Sequence, residues 1–195
     1  GGKKHEVSVK PVLSEGSYRA GMWVRDSSAG IGTMTFFDPE TLAFAGLGHA
    51  ICDSDTHEPL PLSEGSISDV KVNGCKKSEK GEPGQLVGEF TGGETGSLSA
   101  NCDGGVYGAL YSLPQEYTAY PLAFSGEVHE GAAVILSQTD GGEPQQYDIV
   151  IEKLSAGCDG HDMVIRVTDE ALISKTGGIV QGMSGSPIIQ DGRLA

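Results

Sequence analysis

Ile31-Gly32-Thr33-Met34-Thr35-Phe36-Phe37-Asp38 is the stretch on which the fold turns. Polar and apolar side chains alternate from Thr33 to Phe36, and β-branched and aromatic residues dominate, which is the period-two signature of a half-buried strand. Working outward, the same pattern runs through His5-Glu6-Val7-Ser8-Val9-Lys10-Pro11-Val12. Apolar or alternating runs at 21–25, 42–48, 67–72, 85–90, 105–111, 122–129, 132–137, 147–154, 163–168 and 186–190 read as further strands. The 195 residues include 30 Gly and 9 Pro with only 6% aromatics, too much punctuation for a helix-rich protein and without the strict period of collagen. The expectation is an all-β fold of short antiparallel strands, a barrel or a sandwich, large enough to bury a core without crosslinks.

Two turns are well signalled: Thr139-Asp140-Gly141-Gly142-Glu143-Pro144 between two apolar runs, and Asp191-Gly192 after Pro187-Ile188-Ile189-Gln190. Both predict hairpins, because Gly supplies positive φ without steric cost. One short helix is expected at 169–175, with Asp169 or Thr168 to cap its start and Gly177-Gly178 to stop it. The Gly/Glu/Lys-rich stretch 76–84 and the Gly/Thr/Ser-rich stretch 91–99 are too polar to pack and read as exposed loops. A lobe boundary is expected near 117–121.

The formal charge of −14 sets a negative field that repels phosphates and anionic membrane surfaces, so no nucleic-acid partner is expected. No apolar run approaches the roughly 20 residues that cross a bilayer, the longest being Ala132-Ala133-Val134-Ile135-Leu136. Direct membrane insertion by this segment is not expected either. Cys52, Cys75, Cys102 and Cys158 are widely spaced with no C-x-x-C pair, which argues against a zinc site or redox motif and leaves thiols and disulfides both open. No metal and no cofactor is implied.

Chemistry concentrates in Gly182-Met183-Ser184-Gly185-Ser186-Pro187. A serine hydroxyl is a poor nucleophile until a base takes its proton and fixed donors receive the developing oxyanion. The glycines permit a tight loop in which the N–H groups of Gly182 and Ser184 point to one spot beside Oγ, and the G-x-S-G-x-P spacing is that of chymotrypsin-like peptidases. Gly-Ser segments are otherwise ordinary turns. The base should be a histidine, since only its ordinary pKa lies near neutrality, and the candidates are His5, His49, His57, His129 and His161. His5 is near a terminus, and His57, His129 and His161 sit beside acidic residues in polar surroundings. His49 follows Phe44-Ala45-Gly46-Leu47-Gly48, at the end of an apolar run. For the acid, Asp169, Asp103, Asp53 and Asp55 all remain open, Asp169 having a competing role as a helix N-cap.

Lys10-Pro11-Val12, the segment from Gly21 to Thr33, Gly48-His49-Ala50-Ile51-Cys52-Asp53-Ser54-Asp55-Thr56 and the run from Thr176 to Ile189 together resemble the sporulation stage IV protein B family of serine peptidases. The resemblance implies two antiparallel β-barrel lobes of chymotrypsin-like type, with approximate bounds 7–118 for the His49 lobe and 119–195 for the Ser184 lobe. It places the short helix before the nucleophile loop. It implies Ser184 as nucleophile, His49 as general base, Asp169 as acid, and the amides of Gly182 and Ser184 as the oxyanion hole. A serine endopeptidase acting outside the cytoplasm, between the forespore membranes, is implied, with a membrane-associated regulatory protein as substrate, cleavage of itself, and a membrane anchor in the full-length protein. The family pattern continues past Ala195, so the last strands of the second barrel are expected to be missing from this sequence, and Ala195 is either a truncation or a cut site. The competing readings are a catalytically silent peptide-binding module on the same barrel and a serine esterase. The latter lacks the α/β pattern and G-x-S-x-G elbow common to esterases.

Overall fold

Alternation becomes pairing wherever one face of a strand can be buried. The computed structural model describes residues 6, 8–20, 28–124, 126–155 and 163–195. The strands are β1 (Val12–Ser14), β2 (Ser17–Arg19), β3 (Met34–Phe37), β4 (Ala43–Gly46), β5 (Ser66–Lys76), β6 (Gln85–Cys102), β7 (Gly105–Leu110), β8 (Gly131–Ser137), β9 (Gln145–Leu154), β10 (Met163–Val167), β11 (Ile188–Gln190) and β12 (Arg193–Leu194), with one helix, α1 (Glu170–Thr176). Two five-stranded antiparallel sheets result, ordered β3-β4-β7-β6-β5 and β10-β9-β8-β11-β12. The fold is all-β, in keeping with a chymotrypsin-like two-lobed architecture.

Residues 31–195 form one unit and residues 1–30 another. Within the unit of residues 1–30, β1 and β2 make an exposed hairpin around Glu15-Gly16, both left-handed, as a type I′ turn requires.

In the larger unit the period of two is plain on β8 and β9. Ala133 and Ile135 on one strand, and Tyr147, Ile149 and Ile151 on the other, all point inward, with Ala133 opposite Ile149 and Ile135 opposite Tyr147. Ile149 and Ile151 are 1% exposed, and burying each such side chain contributes about 1.5–3 kcal/mol. Leu172 of α1, Val180 and Met183 join this core, as do Val72 of β5 and Leu86 of β6. The turn end of the β5–β6 hairpin thus belongs to the same core as the second sheet.

The connection from β10 to β11 has to pass β9 and β8, because β10 lies at one edge and β11 on the far side of β8. α1 and the loop after it make that crossing. Asp169 caps the helix by accepting from the Leu172 amide at 2.8 Å, and left-handed Gly177 ends it, its N–H donating to Ile173 O. The helix C-terminus is tied down where Ser78 N donates to Thr176 O and Lys77 Nζ donates to Ser174 O.

Three expectations change. Residues 91–99 belong to β6 and are not a loop: β6 pairs with β5 over its first part and with β7 over its last, and the middle is ordered by backbone bonds with both faces wet. The run 122–129 is not a strand. Leu122 forms a single bridge to Leu194, then Glu127 N closes a turn on Phe124 O, leaving Leu122 and Phe124 62% and 74% exposed. Among the described residues of 5–12 only Val12 is in a strand, and Pro11 has no N–H to give a ladder. Positions 1–5 and 7, and the expected strand 21–25, lie outside the described residues. Both predicted hairpin turns are present, at 138–144 between β8 and β9 and at 191–192 between β11 and β12.

Candidate active site

The approach to Ser184 is fixed from two sides. Leu86 N donates to Gln181 O and Gln181 N to Gly84 O, pairing this segment with the start of β6. Val180 and Met183 are 3% and 4% exposed, so two apolar side chains root the loop in the core. Met183 N donates to Val180 O and Ser186 N to Met183 O. The N–H groups of Gly182 and Ser184 meet no acceptor among the described residues. They are the two donors that the sequence pattern sets beside Oγ.

On its other side the loop is strapped to Thr33. The Thr33 amide donates to Ser184 O at 3.1 Å, and Thr33 Oγ1 donates to Gly182 O at 3.0 Å. Thr33 O in turn accepts from Leu47 N at 3.1 Å. One residue therefore links the nucleophile loop to the segment that carries His49. Gly185 closes the contact: a Cβ there would sit 2.4 Å from Thr33 O and 2.5 Å from Leu47 N, at φ +87°. Only glycine allows these backbones to approach.

His49 lies three residues beyond β4, after two left-handed residues, Leu47 at φ 69° and Gly48 at φ 72°. For a leucine this conformation costs about 1–2 kcal/mol. The hold of Thr33 and the packing of Gly185 are what sustain it. His49 is exposed and Ala50 is 7% exposed, so the backbone is anchored while the ring reaches outward. Nδ1 lies 2.8 Å from Ala50 O. A carbonyl oxygen can only accept, so Nδ1 carries the proton and Nε2 is left as the acceptor.

Of the predicted trio, Ser184 and His49 are brought onto adjoining loops: the residue after the serine touches the residue two before the histidine. No hydrogen bond joins Ser184, His49 and Asp169 to one another among the described residues. Asp169 Oδ1 is held by the Leu172 amide, and its Oδ2 is 3.4 Å from Asp148 N. Asp53 organises its own turn, accepting from the amides of Asp55 and Thr56. Asp103 sits in the exposed turn between β6 and β7.

Among the other histidines, His57 lies in the 53–58 turn, its N–H donating to Asp53 O. His129 lies between Glu130 O at 3.1 Å and Asp191 Oδ2 at 2.9 Å. The Glu130 carbonyl first, and the Asp191 carboxylate second, hold its pKa above the ordinary value. That pair is exposed, and no serine bonds to it. His5 and His161 lie outside the described residues. No local motif in the sequence marks Thr33, whose contacts with Gly182, Ser184 and Leu47 arise only in the fold.

No three His, Cys, Asp or Glu side chains among the described residues are grouped to hold a metal ion, and Cys52, Cys75 and Cys102 are free thiols. No described helix is long and apolar enough to cross a membrane.

Two antiparallel sheets, with the Ser184 loop and the His49 loop tied together through Thr33, fit the chymotrypsin-like class of β fold. The family model described as SpoIVB peptidase S55 matches residues 16–195, and the chain belongs to that family. It is a peptidase, and its substrates are proteins or peptides. No curated protein and no solved structure matches the chain.

Proposed function

We propose that this chain is a serine endopeptidase in which Ser184 attacks the scissile carbonyl, His49 Nε2 takes the hydroxyl proton and returns it to the leaving amine, and the amides of Gly182 and Ser184 receive the oxyanion. The observation that carries the reading is the strapping of the two loops: Thr33 bonds to the serine loop on one side and to Leu47 on the other, and Gly185 packs on Leu47. The amides of Gly182 and Ser184, without an acceptor among the described residues, and a histidine whose Nδ1–H leaves Nε2 as the acceptor supply the remaining parts. The same resemblance gives the acid's role to Asp169. To fill it, the carboxylate has to exchange its hold on the Leu172 amide for His49. The corresponding lobes would be 7–118 and 119–195.

Family membership supports a finer reading as well: a signalling protease of spore formation, acting outside the cytoplasm on a membrane-associated regulator and on itself. The test of the core proposal is turnover of an unstructured polypeptide by the wild-type chain and by Ser184→Ala. Cleavage by the former and none by the latter is expected. Binding of the polypeptide with no cleavage by either would instead favour a silent binding module.

A further inference from the structure

The peptide group that fixes His49 is itself fixed. His49 Nδ1–H donates to the carbonyl of Ala50 at 2.8 Å, and the N–H of that same peptide unit, the amide of Ile51, donates to Asn101 Oδ1 at 2.7 Å. Asn101 Nδ2 donates to Ile51 O and to Leu60 O, each at 2.9 Å. Asn101 is on β6, opposite Val106 of β7, and is therefore fixed by the first sheet. The histidine segment has no such ladder of its own. Residues 47–51 are irregular, and their nearest order is the neck of the 51–60 loop, where Leu60 N donates to Ile51 O. The carboxamide closes that neck with three bonds and behaves as a missing strand neighbour.

We propose that Asn101 is a positioning residue for the imidazole, acting through the Ala50–Ile51 peptide. The inference rests on the reading of His49 as general base. Its chain of hydrogen bonds runs from imidazole to peptide carbonyl, through the peptide to its N–H, and on to the carboxamide. Accepting from the N–H increases the carbonyl's acceptor strength, because neighbouring bonds in a chain polarise one another. Holding both faces of Ile51 also fixes where the carbonyl points, hence where Nδ1 points, hence which nitrogen faces the serine. Two things follow: the Nδ1–H tautomer is set in advance, and the ring plane is set by the first sheet. Misplacing a catalytic group by about 1 Å costs on the order of 10²-fold in rate.

The test reads the tautomer and the rate separately. In ¹⁵N-labelled protein at a pH where the ring is neutral, the imidazole nitrogens of His49 should report Nδ1–H in the wild type. Asn101→Ala should shift His49 toward Nε2–H and lower kcat by roughly 10²-fold at unchanged KM. Asn101→Asp keeps an acceptor for Ile51 N–H but turns an oxygen toward Ile51 O and Leu60 O where the amide donated, so its tautomer and rate should fall between those of the wild type and Asn101→Ala. A folded Asn101→Ala with wild-type tautomer and kcat overturns the inference. If Asn101→Ala does not fold, Asn101→Asp decides it, since a wild-type tautomer with unchanged kcat there, two of the three bonds being gone, overturns the inference equally. A tautomer shift in Asn101→Ala without peptidase activity in any form, wild type included, would uphold the positioning role and remove the peptidase reading.

Discussion

The loop that carries Ser184 and the loop that carries His49 are built on opposite plans. The serine loop is held by burial and backbone: Val180 and Met183 lie in the core, Gly185 meets Thr33 and Leu47 backbone to backbone, and the amides of Gln181, Met183 and Ser186 donate to the carbonyls of Gly84, Val180 and Met183. The histidine loop has little burial of its own beyond Ala50 and is held by a side chain, Asn101, reaching from β6. Thr33 joins the two. On the proposed roles this division suits acyl transfer: oxyanion donors fixed by the backbone need not reorganise, while the imidazole on its strap serves first as proton acceptor and then as proton donor.

The comparison breaks most sharply at the hydroxyl itself. Ser184→Ala should abolish turnover, about 10⁶-fold in the best-measured serine peptidase, with an unchanged melting temperature because a half-buried Oγ with no bonded partner is lost. Next comes the acid. Asn caps a helix as well as Asp does, so Asp169→Asn should leave thermal stability unchanged; if the carboxylate serves His49 as proposed, turnover falls by about 10⁴. Retained turnover would confine Asp169 to its cap and leave the tautomer to the Ala50–Ile51 peptide. Asp169→Ala separates the roles from the other side, costing about 1 kcal/mol by calorimetry for the lost cap.

Gly185→Ala tests the packed loop. The added methyl meets backbone atoms at 2.4 and 2.5 Å, and the left-handed φ penalises any Cβ, so a loss of roughly 1–3 kcal/mol is expected together with most of the activity. Thr33→Val removes only the Oγ1 bond to Gly182 O and should cost about 1 kcal/mol, with a rate loss smaller than that of Gly185→Ala. The smallest effect lies outside both loops. His129 has its pKa raised by the Glu130 carbonyl and by Asp191, so its contribution to stability is fully present below the ordinary imidazole value of 6.5 and fades as pH rises through the higher folded value. Melting curves across pH 5–9 should show this slight dependence in the wild type and a weaker one in Asp191→Asn, which keeps the Glu130 carbonyl but loses the carboxylate, with turnover unaffected.

Much of this was legible in the residues. Period-two runs over 132–137 and 147–154 became β8 and β9 because their alternate residues are the core, and Asp169 and Gly177 marked the helix ends because cap chemistry is local. Residues 91–99 hid a strand because 91–94 run along an exposed two-stranded arm and Gly96 and Ser97 are held between β5 and β7; their order comes from backbone pairing, which side-chain composition does not encode. The run 122–129 failed for the converse reason, an apolar pattern with no partner strand to pair. At the site, Gly182, Ser184 and Gly185 announced themselves through loop chemistry. Thr33 and Asn101 did not, since their roles depend on residues 149 and 50 positions away, and such contacts exist only once the sheets have formed.

The central claim is an activated hydroxyl at Ser184 served by His49, and the most direct measurement is covalent labelling by a fluorophosphonate mapped by peptide mass spectrometry. Wild-type protein should carry one adduct, on Ser184, with labelling lost in Ser184→Ala and strongly slowed in His49→Ala. Equal labelling of wild type and Ser184→Ala, or a folded wild-type chain that takes no label, would contradict it.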